Sequence, residues 1–151
     1  MKNIKFEELE KKLGYTFTNK SLLKHALTHK TYAFEAKSPI EYNERLEFLG
    51  DSVLDFIVAE ELYKSNKYFS EGDLTVRRAI WVNNEFLAER SIELGVGKFL
   101  LLGKGELKQN GANNRTNLAN ALEALIGAIY LDSGVESAKR FILEKIVTGK
   151  F

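Results

Sequence analysis

The sequence predicts an all-α domain, and three observations carry that expectation. Apolar residues recur at helical spacing along most of the chain, capping residues and glycine stops punctuate the runs, and little alternates with the period of two that a half-buried strand requires. No internal repeat or low-complexity segment interrupts the pattern.

Taken in order, Phe6, Leu9 and Leu13 with Gly14 behind them predict a helix over 4–13. Asn19 or Ser21 caps a second one, with Leu22, Leu23, Ala26 and Leu27 as its apolar stripe. Residues 29–42 include the only proline, Pro39, and hold no sustained period, so they are expected to form a loop leading into a long helix over 42–64. A polar break at 65–72 precedes a helix over 73–82, with Leu74, Ala79, Ile80 and Trp81 expected in the core. Asn83 or Asn84 then caps a helix over 85–94, closed by Gly95. The run 99–102 is short and apolar, and its period does not choose between extended and helical. Residues 103–117 are rich in glycine, asparagine and lysine and are expected on the surface, with one helical turn near Glu106. The helix over 118–131 is apolar all round except for Asn120 and Glu123, so it is expected to be buried on most sides. Its Ala119, Ala121, Ala124, Gly127 and Ala128 permit neighbours to approach closely. Residues 132–134 end it, and 135–147 supplies a last amphipathic helix.

Composition bounds the function. With 151 residues, 44% hydrophobic and 28% charged, the chain is expected to fold as one globular domain. There is no cysteine, which excludes disulfides and thiolate metal sites and permits a reducing cytoplasm. No signal pattern opens the sequence and no apolar run is long enough to span a bilayer, so no membrane role is expected. A net charge of +1 offers no global basic excess, and any nucleic-acid binding would rest on local patches.

The chemistry concentrates at 43–54. A helix turns about 100° per residue, so Glu44, Glu47 and Asp51 share one face while Leu46, Leu49, Val53 and Ile57 fall opposite. Three stacked carboxylates are either a solvated helix face or, with their repulsion offset, a site for a hard divalent cation. Glu123 is the second anomaly: a carboxylate in a buried helix is costly unless neutralised, paired or metal-bound. Asn120, three residues earlier, points the same way and adds an oxygen donor. His25 and His29 stand four apart, but no Glu follows the first, and a structural role is expected of both. Asp55, a turn beyond Asp51, reads as solvated.

The string NERLEFLGDSVL at 43–54 resembles the signature of the ribonuclease III family. Four more segments resemble that family in the expected order: ALTHK at 26–30, EGDL at 71–74, LLGKGE at 101–106 and ALEALIGAIYLDSG at 121–134. The resemblance covers nearly the whole chain and implies a homodimeric helical endonuclease domain over 1–151, with no double-stranded-RNA-binding domain in this chain. It implies magnesium, replaceable by manganese, as the cofactor and no organic one. Carboxylates holding the ion would activate water to cut double-stranded RNA in RNA processing, rRNA processing included, leaving 5′-phosphate and 3′-hydroxyl ends with short 3′ overhangs. The metal set carried over is Glu47, Asp51, Asn120 and Glu123, with Asp51 and Glu123 catalytic and Glu44 and Glu71 accessory. Glu71 reads equally well as a helix-capping residue. The resemblance implies that Phe48 is a knob that enters the partner subunit, and Lys104, Lys108 and Arg115 are candidate RNA contacts, beside Arg77 and Arg78. One departure stands out: the family usually has Asp where this chain has Asn120. An amide offers oxygen but no charge, which lowers metal affinity and leaves a second reading, a weakened or silent duplex-RNA-binding or dimerisation module.

Overall fold

A computed structural model describes residues 6–149 and 151 and shows an all-α architecture. The helices are α1 (Phe6–Leu13), α2 (Lys20–Leu27), α3 (Lys30–Glu35), α4 (Glu44–Ser65), α5 (Glu71–Val82), α6 (Asn84–Glu93), α7 (Lys104–Lys108), α8 (Arg115–Ser133) and α9 (Val135–Phe141). A π-helical turn, Ile142–Ile146, continues α9. Of the predicted first helix, residues 4 and 5 lie outside the described part. Among the described residues the single β contact is a parallel bridge between Thr28 and Leu101, which resolves the ambiguous run: a 3-10 turn over Val96–Phe99, then extended chain.

Helix α8 is the axis of the fold. Leu122, Ala124, Leu125, Ile126, Ala128 and Ile129 are wholly inaccessible, and α4, α6, α2 and α9 pack around them. The most extensive of these contacts is with α4, which contributes Leu46, Leu54, Ile57 and Val58 to the core. Two glycines make it possible. A Cβ at Gly50 would overlap the carbonyl oxygen of Glu123, and one at Gly127 would overlap that of Leu46. Backbone therefore touches backbone where α4 and α8 cross, and even an alanine on either side would drive the helices apart.

Local chemistry sets the boundaries. Asn19 and Asn83, each one of two alternatives in the sequence, are the caps of α2 and α6, accepting from the backbone N–H groups of Ser21 and Phe86. Gly14 and Gly95 adopt φ of 66° and 70° and stop their helices as expected. Asp132, at the end of α8, accepts from the N–H groups of Thr18 and Asn19, both at 2.9 Å, and from the Tyr15 hydroxyl at 2.7 Å, tying the entry to α2 onto α8.

Two expectations are corrected. Residues 29–42 are not all loop, because α3 lies within them. Its six residues are too few for a period to show, and it is held from outside: the Gly103 N–H donates to Thr31 Oγ1 at 3.0 Å and the Lys104 N–H to Glu35 at 2.9 Å. Helix α5 begins at Glu71 rather than 73, because Ser70 and Asp73 form a reciprocal capping box, and it buries no residue. Leu74 and Trp81 pack partly against the core, but Ala79 and Ile80 are exposed, as is Val76. Of the four expected core members, Leu74 and Trp81 face the core and Ala79 and Ile80 face outward, so helical spacing alone placed only half of them correctly.

Candidate metal centre

The crossing of α4 and α8 brings the two acidic elements together. Glu44, Glu47, Phe48 and Asp51 from α4, Asn120 and Glu123 from α8, and Asn84 from the start of α6 line one cleft of about 490 Å³. The predicted faces explain the arrangement: Glu47 and Asp51 project from the side of α4 that meets α8, beside Gly50, whose contact with the Glu123 carbonyl fixes their separation from Glu123.

The lining of the cleft holds four acidic side chains and no basic one. Glu123 is only 6% exposed. Burial first, and then the charges of Asp51, Glu47 and Asp55, push its carboxyl up to about 8, and no donor or cation acts in the other direction. Glu47, partly buried, is raised by burial and by Glu44 and Asp51, with Lys30 offsetting part of the effect. Asp51 is raised by burial and by Asp55. Such a set of oxygen donors, one of them buried without a counter-charge, fits a hard divalent cation in charge and in ligand type. Among the described residues, however, no three His, Cys, Asp or Glu side chains are gathered closely enough to cage an ion. The carboxylates rim an open cleft rather than converge on a point.

The other candidates fall in several places. Phe48 stands at the cleft and is 79% exposed. Glu44 lies at the rim, paired with Lys30 at 3.1 Å. Glu71 is not in the cleft; it lines a separate groove between α4 and α5 and accepts from the Thr75 hydroxyl at 2.8 Å. Arg115 opens α8 and is held by Glu85 at 2.8 Å and Glu89 at 2.5 Å. Lys104 and Lys108 sit on α7, and neither lines the cleft. The two histidines have structural partners: His25 Nε2 lies 2.8 Å from the Tyr42 carbonyl, and His29 Nδ1 accepts from the Thr31 N–H to cap α3.

Two contributors were not apparent from the sequence. Asp55 is partly buried and its field reaches both Asp51 and Glu123, so its place a turn beyond Asp51 was the available signal. Asn84 enters the cleft only through the packing of α6 on α8 and leaves no mark in the local sequence.

The chain has relatives among known proteins and solved structures. The chain is 45% identical over 141 residues to the protein named Ribonuclease 3 of Bdellovibrio bacteriovorus, spanning 93% of this chain and 60% of that one. It is 50% identical over 135 residues to the Ribonuclease 3 of Carboxydothermus hydrogenoformans, spanning 89% and 57%. The chain thus spans about three fifths of the length of these curated relatives. Among solved structures, the nuclease domain of ribonuclease III from Campylobacter jejuni superposes with a TM-score of 0.86 at 46% identity, covering 97% of this chain and 95% of that one. A second structure of that domain, described as flexible in a region involved in dimer formation, gives 0.87 at 45% identity, with coverage of 93% and 95%. A family profile described as Ribonuclease-III-like matches residues 19–150. With the fold shared and matches that cover most of its length, the chain belongs to the ribonuclease-III-like family.

Proposed function

We propose that this chain is the nuclease domain of a ribonuclease III and that it cuts double-stranded RNA with a divalent cation, magnesium or manganese, held in the α4–α8 cleft. The single observation that carries the reading is Glu123: a buried carboxylate with no counter-charge, set across a backbone-to-backbone crossing from Glu47 and Asp51.

In this reading Glu47, Asp51 and Glu123 supply the charged ligands and Asn120 a carbonyl oxygen. When bound, the cation supplies a nucleophilic water of lowered pKa and offsets charge on the leaving 3′ oxygen, which gives 5′-phosphate and 3′-hydroxyl ends. The protein's part is to hold the carboxylates at fixed separation and to leave Glu123 without a counter-charge of its own. Near neutral pH Glu123 holds its proton when the cleft is empty of cations, and loading releases it. Glu44 stands at the rim as an accessory group. Phe48, with the outward Val76 and Ile80, suits the protein to pairing with a second copy, so that two clefts address the two strands and leave short 3′ overhangs. The dimer-forming region named for the Campylobacter jejuni domain supports this assembly. Among the described residues no helix is long and apolar enough to cross a membrane, and a cytoplasmic site of action fits RNA processing.

Asn120 favours a second reading, a silent duplex-RNA-binding or dimerisation module, because an amide removes one charge from the cleft. Cleavage of a long RNA duplex with magnesium or manganese decides between them. Activity in the parent that Glu123→Gln abolishes supports the nuclease, whereas activity only after Asn120→Asp supports the silent module.

A further inference from the structure

An acidic cleft repels the polyanion it is meant to cut, and a basic side chain at its edge favours the approach of a phosphate. Arg115 is already committed to Glu85 and Glu89. Among the described residues, Lys30 is the cation whose charge reaches the cleft: its Nζ lies 3.1 Å from Glu44 Oε1, and its field also acts on Glu47.

The Lys30–Glu44 pair combines a weak bond with a stiff mount. Lys30 is 50% exposed and Glu44 49%, and an exposed ion pair of this kind contributes little to stability. Exchanging Glu44 for another anion therefore costs little. Helix α3 itself is held at both ends. His29 caps its start, and Thr31 and Glu35 receive the N–H groups of Gly103 and Lys104. The chain just before it is pinned between α2 and α4, because the His29 N–H donates to Leu101 and the Asn43 N–H to Thr28, both at 2.9 Å. The ammonium can move while its backbone stays in place.

We infer that Lys30 is a substrate-contacting residue: it rests on Glu44 in the free protein and transfers to a phosphate of the RNA strand that enters the cleft. This inference rests on the proposed nuclease reading. The transfer leaves Glu44 unpaired beside Glu47, adding a negative charge to the cation site at the moment RNA arrives.

The test measures binding of a short blunt RNA duplex in magnesium, over a range of salt, in the Glu123→Gln background so that the duplex survives. Lys30→Ala weakens binding about five- to tenfold and reduces the slope of log affinity against log salt by about one, while Lys30→Arg retains both. Glu44→Gln tightens binding when Lys30 is present and does so much less in the Lys30→Ala protein. An unchanged salt slope in Lys30→Ala overturns the inference. So does equal tightening by Glu44→Gln in both backgrounds, which would make Glu44 a source of plain repulsion. Cleavage by the unmutated chain, measured in parallel, separates the two readings: if it cuts duplex RNA and Lys30→Ala matches it in slope, only the Lys30 role falls. If it neither cuts nor binds, the nuclease reading falls and takes Lys30 with it.

Discussion

Replacing Glu123 by Gln should stabilise the cation-free protein, and by an amount that depends on pH. The carboxyl is raised from an ordinary 4.5 to about 8 in the folded state. Because the folded value lies above the unfolded one, folding favours the proton: the carboxyl's stabilising contribution is complete below about pH 4.5 and is lost as pH rises through about 8. At about 1.4 kcal/mol per unit, the carboxylate costs on the order of 3 kcal/mol at pH 7 and about 5 kcal/mol above pH 9. Glutamine has nearly the same shape and no charge, so it escapes that cost. With an unfolding entropy of about 2.1 cal/mol/K per residue over 151 residues, 3 kcal/mol corresponds to about 10 °C in Tm. The assay is a series of thermal melts in a chelator from pH 5 to pH 9, followed by circular dichroism. Parent and variant should nearly coincide at pH 5 and diverge as pH rises, the variant melting higher. If Glu123→Gln melts at or below the parent at pH 8, Glu123 has a compensating partner and the account of the cleft is wrong.

The same cost predicts that magnesium or manganese raises the Tm of the parent more at pH 8 than at pH 5, since loading must displace a proton at the lower pH, and that Glu123→Gln loses most of this gain; melts at matched ionic strength measure it. Gly50→Ala should destabilise by about 2–4 kcal/mol, read from urea unfolding, because its methyl group meets the Glu123 carbonyl and not a side chain that can turn away. Phe48→Ala should shift sedimentation from dimer toward monomer with helical content unchanged, since a side chain 79% exposed contributes little to the protomer's own core.

Much of this site was legible because its residues break local rules. Glu123 announced itself as a carboxylate in an apolar run, and the helical period alone put Glu47 and Asp51 on a shared face. The long helices were equally plain, α4 from the opposed acidic and apolar faces of its first half and α8 from an apolar run too long for a strand, while Asn19 and Asn83 mark the starts of the shorter α2 and α6. What stayed hidden depends on contacts distant in sequence. Six residues of α3 show no period, and their helix is secured by Gly103 and Lys104, some seventy positions away. Asn84 reaches the cleft only because α6 leans on α8. The apolar positions of α5 look like core to any periodic reading, and only packing reveals that Val76 and Ile80 face outward.

The contact of Gly50 and Gly127 separates two properties that usually vary together. In most carboxylate sites the spacing of the ligands follows from how side chains pack between their helices, so a change of residue alters width and charge at once. Here the width is set by main chain resting on main chain. Substitutions along the rim, Asn120 and Glu44 among them, can retune how strongly the cleft attracts a cation without resizing it. Under the proposed reading, a heavier substituent at either glycine would change the width of the cleft while leaving its charge as it is.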